Sequence, residues 1–280
     1  MSDYADWIGR TQTVEDSLCP NVARAASATL LNRDQPFAAG DALPRLWHWF
    51  YFLATAPQNQ LGDDGHPRRT EASFMPPIPL PRRMFAGARL KFHRPLCVGQ
   101  PAERETTISN ITNKSGSSGQ LAFITLDHRL TQAGELCLEE QQDIVYREQG
   151  APISLPEPAE LPPLDSAAWS QTIVPDTRLL FRYSSLTFNA HRIHYDRNYV
   201  TSEEGYPALV VHGQLTATML LELVLQHAER PVTAFSFRGK APLFDGAPVR
   251  LVGTVNDNEV ELIAQGPDGR TAMQAKAELA

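Results

Sequence analysis

The sequence predicts an α+β protein built from two similar halves, in each of which antiparallel strands wrap around one apolar helix. Three observations lead to this prediction. A proline-rich connector divides the chain, a turn motif recurs on either side of the connector, and a strongly apolar run precedes each copy of the motif. With 280 residues, of which 42% are hydrophobic, the chain is long enough for one large domain or two packed ones.

The connector is the clearest boundary in the chain. Residues 146–170 contain five prolines: Pro152, Pro156, Pro158, Pro162 and Pro163. Because proline lacks an amide hydrogen and fixes its own backbone angle, such a segment favours an extended, semi-rigid conformation. The sequence therefore predicts a degenerate N-terminal half over residues 1–150, a linker over 151–170 and a C-terminal half that carries the site over 171–280.

A turn motif, Pro-Leu-x-x-Gly-x-Pro, occurs at residues 95–101 and again 147 positions later, at residues 242–248. Strand-like runs flank both copies, so we expect the proline and glycine residues to form a turn between antiparallel strands. In the second half the turn formers Asn-Asp-Asn at 256–258 and Pro-Asp-Gly at 267–269 indicate two hairpins. An internal duplication accounts for this arrangement.

Two apolar runs are the helix candidates: residues 43–56, LPRLWHWFYFLATA, and residues 213–228, GQLTATMLLELVLQHA. Both are apolar on nearly every side, as expected of a helix enclosed by a curved sheet. Trp47, Trp49 and Phe50 are accordingly expected in the core. A helix wrapped by antiparallel strands, twice over, is a double hot-dog architecture, made of either two sheets or one continuous sheet.

Charge and composition exclude several classes of protein. The formal net charge of −7 argues against nucleic acid as a partner. No apolar run reaches the roughly 18 residues that a membrane span needs, and the first residues are acidic where a signal peptide is basic, so we expect a cytoplasmic protein without membrane contact. The three cysteines are far apart and form no Cys-x-x-Cys pair, which argues against a disulfide framework or a zinc knuckle.

The segment FNAHRIHYDRNYV, residues 188–200, concentrates polar groups just before the second apolar run. A neutral histidine such as His191 or His194 can take a proton from water near neutral pH. Gly213 opens the predicted second helix, where unpaired amides can hold a thioester oxygen as enolate charge develops on it. A purely structural role for both histidines stays open. So does a metal site with His212, although the glutamate of the usual zinc pattern is missing.

Residues 181–223, which include FNAHRIHYDRNYV and GYPALVVHGQLTATMLLEL, resemble the signature of the MaoC-like hydratase/dehydratase superfamily. The resemblance is to the branch with mitochondrial 3-hydroxyacyl-thioester dehydratase and the mesaconyl- and itaconyl-coenzyme A hydratases. It implies a double hot-dog homodimer that adds water to an unsaturated acyl-CoA and uses no cofactor beyond the CoA of its substrate. It also implies that His194 is the catalytic histidine and that the amide of Gly213 binds the thioester carbonyl.

One position departs from the family pattern. Where the usual motif has an aspartate five residues before the catalytic histidine, this sequence has Asn189. Asparagine can orient a water molecule but cannot accept its proton, so either His194 acts alone or His191 or Asp196 takes the second role. Asp196 is better suited to cap a short helical turn that begins at residue 197, or to orient a histidine, than to act as this second group.

The phosphates of CoA call for arginine and lysine. Arg238 and Lys240 are two residues apart on a predicted strand, so their side chains share a face. The corresponding segment of the first half contains Lys91, and Arg94 follows it. These four residues are the candidates for binding CoA.

A dicarboxylic acyl group would need a further cation for its free carboxylate. Arg182 and Arg192 flank the motif, so either is a candidate, and Tyr195 and His212 are the other candidates for substrate contact. The proline-containing segment at residues 73–87 has no counterpart in the second half and is expected either to shape the acyl pocket or to be a surface excursion.

The sequence therefore predicts a hydro-lyase that hydrates itaconyl- or mesaconyl-CoA to a citramalyl-CoA type product. Three alternatives remain: a 3-hydroxyacyl-thioester dehydratase of fatty acid synthesis, an acyl-CoA thioesterase and a non-catalytic acyl-CoA-binding module. Against the thioesterase, the first acidic residue of the second helix, Glu222, comes only about two turns after Gly213.

Overall fold

The computed structural model describes residues 4–31, 36–116, 119–161 and 163–280. The N-terminal half supplies the strands β1 (Thr11–Asp16), β2 (Arg82–Phe92), β3 (Ala102–Gly116), β4 (Gly119–Gln132) and β5 (Glu135–Arg147). The C-terminal half supplies β6 (Trp169–Ile173), β7 (Val232–Gly239), β8 (Val249–Asn256), β9 (Glu259–Gln265) and β10 (Thr271–Leu279). The helices are α1 (Pro20–Leu30), α2 (Thr177–Leu186), α3 (Arg197–Ser202) and α4 (Gly213–His227).

The strands of both halves form one continuous antiparallel sheet in the order β1-β3-β4-β5-β2-β7-β10-β9-β8-β6. The halves join where β2 pairs with β7, from Gly87 opposite Arg238 to Lys91 opposite Ala234. At this seam a Cβ atom on Gly87 would lie 2.3 Å from the backbone oxygen of Phe237, so only glycine fits. The predicted α+β class is confirmed, with a continuous sheet rather than two separate ones.

Helix α4 is the apolar helix that the sheet encloses. It packs against strands of the C-terminal half and against β2 of the N-terminal half. Its buried residues lie on every side of the helix: Leu215, Thr216, Ala217, Thr218, Leu220, Leu221, Leu223 and Val224. The helix predicted from residue 213 onwards is confirmed.

The helix predicted at residues 43–56 is wrong. Only a 3-10 turn forms there, Trp47–Phe50, between the left-handed residues Leu46 (φ 69°) and Phe52 (φ 54°). Aromatic residues are modest helix formers, and here the tertiary contacts of their polar atoms decide the conformation. Trp49 Nε1 donates to Glu140 at 2.9 Å, and His48 Nε2 lies 2.9 Å from the same carboxylate. Within the residues that the structure describes, the central helix is therefore found in the C-terminal half alone, although the tryptophans are buried as predicted.

The duplicated turn motif adopts the same backbone conformation twice. Gly99 (φ 74°) and Gly246 (φ 77°) occupy matching left-handed positions, one between β2 and β3 and the other between β7 and β8. Neither pair of strands is adjacent in the sheet, so the motif makes a crossover connection rather than the expected turn between paired strands. The hairpin turns at 256–258 and 267–269 are confirmed, because they join the paired strands β8 with β9 and β9 with β10.

The first two residues of the proline-rich connector end β5, and its last two begin β6. Between these strands its described residues, 148–161 and 163–168, contain no helix or strand. The division of the chain into units at residues 150 and 170 stays a prediction. Among the described residues, no helix is both long enough and apolar enough to cross a bilayer.

Candidate active site

A cleft of about 1080 Å³ is lined by residues of both halves. This volume is suited to a ligand larger than a simple metabolite, such as part of an acyl-CoA. The N-terminal half contributes Trp49, Tyr51, His66, Arg83 and Phe85, among others, and the C-terminal half contributes Asn189, His191, His194, His212, Gly213 and Lys240.

The histidine motif lies on a tight loop between α2 and α3. Phe188 adopts a left-handed conformation (φ 48°), and the backbone amide of Asn189 donates to the carbonyl of Ser184 at 2.8 Å. The side-chain oxygen of Asn189 accepts from the amide of His191 at 3.0 Å, which stabilises the turn. The predicted cap at Asp196 is confirmed, because its carboxylate accepts from the amide of Tyr199 at the start of α3.

His194 is buried and hydrogen-bonded to the segment that precedes α4. Its Nδ1 donates to the backbone oxygen of Val210 at 2.7 Å, and the amide of Val210 donates to the carbonyl of Ile193 at 3.0 Å. Burial lowers the pKa of His194 to about 4, and the bond to Val210 opposes that shift. The ring is therefore neutral at pH 7, and its Nε2 is an acceptor that can take a proton in the cleft.

The ring of His212 packs against one face of the His194 ring. The two rings stack with centroids 3.6 Å apart and planes 17° apart. His212 Nε2 lies 2.8 Å from Ser184 Oγ, which holds the ring in place. Burial is the main reason that the pKa of His212 lies well below its usual value, and repulsion between two protonated rings, His212 and His194, lowers it further. The stack therefore consists of two neutral rings at neutral pH.

The N-terminus of α4 faces the cleft at Gly213. The N-cap residue His212 makes no side-chain hydrogen bond to this helix, and no other side chain of the described residues bonds to its first amides, so these amides are free to bind a ligand oxygen. A Cβ atom on Gly213 would meet only the backbone oxygen of Phe85, at an ordinary 3.7 Å. The protein itself therefore does not require glycine here, and the open space beside the amide is available to a ligand.

The N-terminal half contributes an aspartate–histidine pair that the sequence reasoning missed. His66 Nδ1 lies 3.0 Å from Asp64 Oδ2, and the His66 ring packs against His191 with centroids 4.1 Å apart. His191 in turn meets His194 edge-on at 5.4 Å. Burial lowers the pKa of His66, and Asp64 opposes that effect. No motif marks residues 62–66 in the sequence, so only the fold could reveal them.

The loop that carries this pair lies directly against the histidine motif. The amide of Arg192 donates to the backbone oxygen of Asp64 at 2.9 Å, and its Nη1 donates to that of Asp63 at 2.9 Å. Gly65 is left-handed (φ 89°), and a Cβ atom there would lie 1.8 Å from the oxygen of Ala190. Glycine is thus required for the two loops to approach this closely.

Within the described part of the chain, donor atoms converge closely enough to hold a metal ion at Asp64, His66 and His191, all within 4.8 Å of one another. This group differs from the trio of histidines considered from the sequence. Because Arg83 lies near enough to lower the pKa of both His66 and His191, a further cation would be repelled there. The arrangement fits a hydrogen-bonded carboxylate–histidine pair better than a metal centre.

The family of hydroxyacyl-thioester dehydratases type 2 matches residues 46–245 of the chain, which include the cleft histidines and the start of α4. The chain belongs to this family. The predicted MaoC-like resemblance and the hydro-lyase class are thereby confirmed.

Two curated relatives extend the comparison within the hydroxyacyl-thioester dehydratase type 2 family. The mesaconyl-C(4)-CoA hydratase of Chloroflexus aurantiacus is 59% identical over 278 residues, covering 99% of this chain and 98% of the relative. The mitochondrial hydroxyacyl-thioester dehydratase type 2 of Schizosaccharomyces pombe is 27% identical over 229 residues, covering 73% of this chain and 75% of the relative. The match to the first relative thus spans the whole chain.

Solved structures share the fold of this family member at low sequence identity. A MaoC-like dehydratase superposes with a TM-score of 0.73 at 15% identity, over 97% of this chain and 98% of the other. HtdX of Mycobacterium tuberculosis gives 0.69 at 17% identity, over 97% and 100%. A further protein of that organism, described as a double hotdog fold, gives 0.59 at 14% identity, over 97% and 96%. The double hot-dog architecture is confirmed.

Of the four candidate CoA-binding residues of this dehydratase family member, two line the cleft and two do not. Arg238 and Lys240 line the cleft, as Tyr195 and His212 also do. Lys91 is exposed on β2 and does not line the cleft, and Arg94 forms an ion pair with Glu135 at 3.3 Å. Only the pair from the C-terminal half is therefore placed to meet a ligand.

The two arginines expected to bind a free carboxylate lie outside the cleft. Arg182 is exposed on α2, and Arg192 is bound by Asp196 at 2.7 Å. Of the segment at residues 73–87, the last part, residues 82–86 of β2, lines the cleft. Glu222 lies outside it and accepts from Trp47 Nε1 at 3.2 Å.

Proposed function

We propose that this hydro-lyase adds water across the double bond of an α,β-unsaturated dicarboxylic acyl-CoA, with mesaconyl-C(4)-CoA as substrate and citramalyl-CoA as product. The observation that carries the proposal is the 59% identity to a mesaconyl-C(4)-CoA hydratase over 99% of this chain. The cleft supports it independently, since a neutral imidazole lies beside an uncapped helix N-terminus.

In the proposed reaction His194 Nε2 takes a proton from water as the water oxygen bonds to the β-carbon. The electron pair of the double bond moves toward the thioester oxygen, which the amide of Gly213 stabilises at the helix N-terminus. The α-carbon then takes a proton, so one water is added in total. CoA enters only as part of the substrate, and Arg238 and Lys240 are proposed to bind its phosphates.

The second proton-handling group is proposed to come from both halves. Asn189 cannot accept a proton, and its oxygen is already bonded to the amide of His191. His191 and His66 present neutral rings in the same cleft, and Asp64 fixes the orientation of His66. We propose that these two imidazoles accept a hydrogen bond from the second hydrogen of the bound water, which stays on the product hydroxyl, and relay the proton taken up by His194 Nε2 to the α-carbon.

A panel of thioesters tests the proposed function. Purified protein is incubated with mesaconyl-C(4)-CoA, itaconyl-CoA, crotonyl-CoA and a long-chain enoyl-CoA, and both product mass and free thiol are followed. We expect hydration of mesaconyl-C(4)-CoA, whose double bond is conjugated with the thioester, and the thioester should stay intact. Preference for the long-chain substrate would instead favour the fatty acid dehydratase, and thiol release would favour the thioesterase. The homodimer and the cytoplasmic location stay predictions.

A further inference from the structure

The proposed substrate class needs a cation close to the reacting carbons. In mesaconyl-C(4)-CoA the free carboxylate is attached to the β-carbon, the atom that water attacks. A group that binds this carboxylate must therefore lie near the histidines rather than at the part of the cleft that holds CoA. Arg182 and Arg192, outside the cleft, cannot meet this requirement.

Several arginines of the cleft already have partners. Arg82 forms an ion pair with Glu204 and donates to its backbone oxygen at 2.6 Å. Arg104 donates to the backbone oxygen of Phe52 at 3.0 Å. Arg238 and Lys240 are exposed. Arg83 and Arg147 differ from these: both are half-buried, both line the cleft, and no group in the described residues pairs with either guanidinium. Of the two, Arg83 is the one whose charge lowers the pKa of His66 and His191.

The position of Arg83 on β2 brings it to the reacting end of the cleft. Arg83 and Phe85 are two residues apart, so their side chains share a face of the strand. The backbone oxygen of Phe85 lies 3.7 Å from where a Cβ atom of Gly213 would be. The charge of Arg83 also lowers the pKa of both His66 and His191, which places the guanidinium within electrostatic reach of the histidines.

We propose that Arg83 binds the free carboxylate of the dicarboxylic acyl-CoA and thereby selects it over thioesters that carry a methyl group in that place. The proposal rests on the proposed function for the identity of the substrate. An unpaired guanidinium in a partly buried cleft presents two parallel donors to a carboxylate, and such charge-assisted bonds are stronger than those of an exposed pair. Burial of the acyl group beside the histidines would exclude water from the pair.

The test compares binding of two saturated analogues that cannot be hydrated. Succinyl-CoA carries a carboxylate on the β-carbon, and butyryl-CoA carries a methyl group in its place. Arg83→Met is expected to weaken succinyl-CoA binding about 10- to 100-fold in calorimetry and to change butyryl-CoA binding by less than about twofold. Arg89→Met is the matched control, because Arg89 lies on the same strand but outside the cleft and pairs with Asp143 at 2.6 Å. It should leave both analogues unaffected.

Arg83→Lys keeps a charge but loses the two-pronged geometry, so it should retain part of the preference for succinyl-CoA. If Arg83→Met does not fold, Arg83→Gln is measured in the same way. Equal weakening of both analogues would overturn the proposal, because Arg83 would then bind the CoA portion; unchanged binding of succinyl-CoA would overturn it as well. Failure of the wild type to hydrate mesaconyl-C(4)-CoA would count against the proposed function. Because binding of the two analogues is measured without turnover, the binding result for Arg83 could still be interpreted in that case.

Discussion

Nδ1 of His194 lies 2.7 Å from the backbone oxygen of Val210. A carbonyl oxygen can only accept, so Nδ1 carries the hydrogen and Nε2 of the neutral ring is left with its lone pair. Burial lowers the pKa of His194 to about 4, so this neutral form prevails at pH 7. One backbone contact thus fixes both the tautomer and the orientation of the proposed base.

His194→Asn should separate the base from its support. The asparagine amide can still donate toward Val210, but the acceptor at Nε2 is lost. We expect kcat for mesaconyl-C(4)-CoA to fall about 100- to 10,000-fold, the range of general acid–base contributions, while KM changes little. His93→Asn is the control, because His93 is exposed just after the end of β2 and pairs with Glu139 at 2.9 Å. Full activity of His194→Asn would contradict the assignment.

The Asp64–His66 pair should contribute to kcat although it lies in the other half of the chain. His66→Gln removes the imidazole beside His191, and Asp64→Asn removes the carboxylate that orients it. We expect both variants to lower kcat by at least about tenfold and to shift the pH profile of kcat, a change that a structural role alone would not produce. His93→Gln again serves as the control. A change confined to KM would show that the pair only shapes the binding site.

Gly213→Ala should impair binding and reaction of the thioester without destabilising the fold. The new methyl group would meet the oxygen of Phe85 at a tolerable 3.7 Å, and alanine is a better helix former than glycine. Thermal unfolding is therefore expected to be unchanged or slightly improved, whereas kcat/KM should fall at least about tenfold because the methyl group occupies the space beside the amide. An active variant would argue that the thioester oxygen binds elsewhere.

Buried neutral histidines should make the protein less stable in acid. The folded-state pKa of His194, about 4, lies below its unfolded value, so the unfolded chain binds more protons between pH 6.5 and 4. The contribution of neutral His194 to the free energy of unfolding is fully present above this window and is lost as the pH falls through it. The loss from this residue is about 2 kcal/mol between pH 7 and pH 5. Denaturant unfolding of wild type and His194→Asn at both pH values measures the difference. Equal pH dependence in the two proteins would contradict the burial argument.

His128 offers a matched contrast for the same measurement. Burial lowers its pKa to about 4 as well, but it lies on β4 next to Thr106 and does not line the cleft. His128→Asn should therefore reduce the pH dependence of stability without changing kcat. The two variants together separate the energetic effect of a buried imidazole from its chemical one.

Local patterns were sufficient to predict the C-terminal half. The hairpin turns, the apolar helix from Gly213 and the cap at Asp196 each depend on residues close together in the sequence. The run at residues 43–56 has the same apolar character, yet its indole and imidazole groups bond to Glu140, which is far away in sequence. Local periodicity carries no information about such a partner, so the helix prediction failed there.

The site residues likewise fall into those that a local motif predicts and those that only the fold brings to the cleft. The family motif indicated His194 and Gly213 as functional residues, and both line the cleft. Asp64, His66 and Arg83 belong to the half that carries no motif, and they reach the cleft only because β2 pairs with β7 and the loop of Gly65 packs on Ala190. Pairings between halves depend on the whole fold, which explains why proximity in sequence pointed to Arg182 and Arg192 instead.

The most direct test of the account follows the oxygen atom. Wild-type protein is incubated with mesaconyl-C(4)-CoA in water enriched in heavy oxygen, and the product is fragmented in a mass spectrometer. We predict one heavy oxygen in the hydroxyl group on the β-carbon of an intact thioester, and almost none with His194→Asn. Release of free CoA with the label in a new carboxylate would contradict the account, because water would then have attacked the carbonyl carbon.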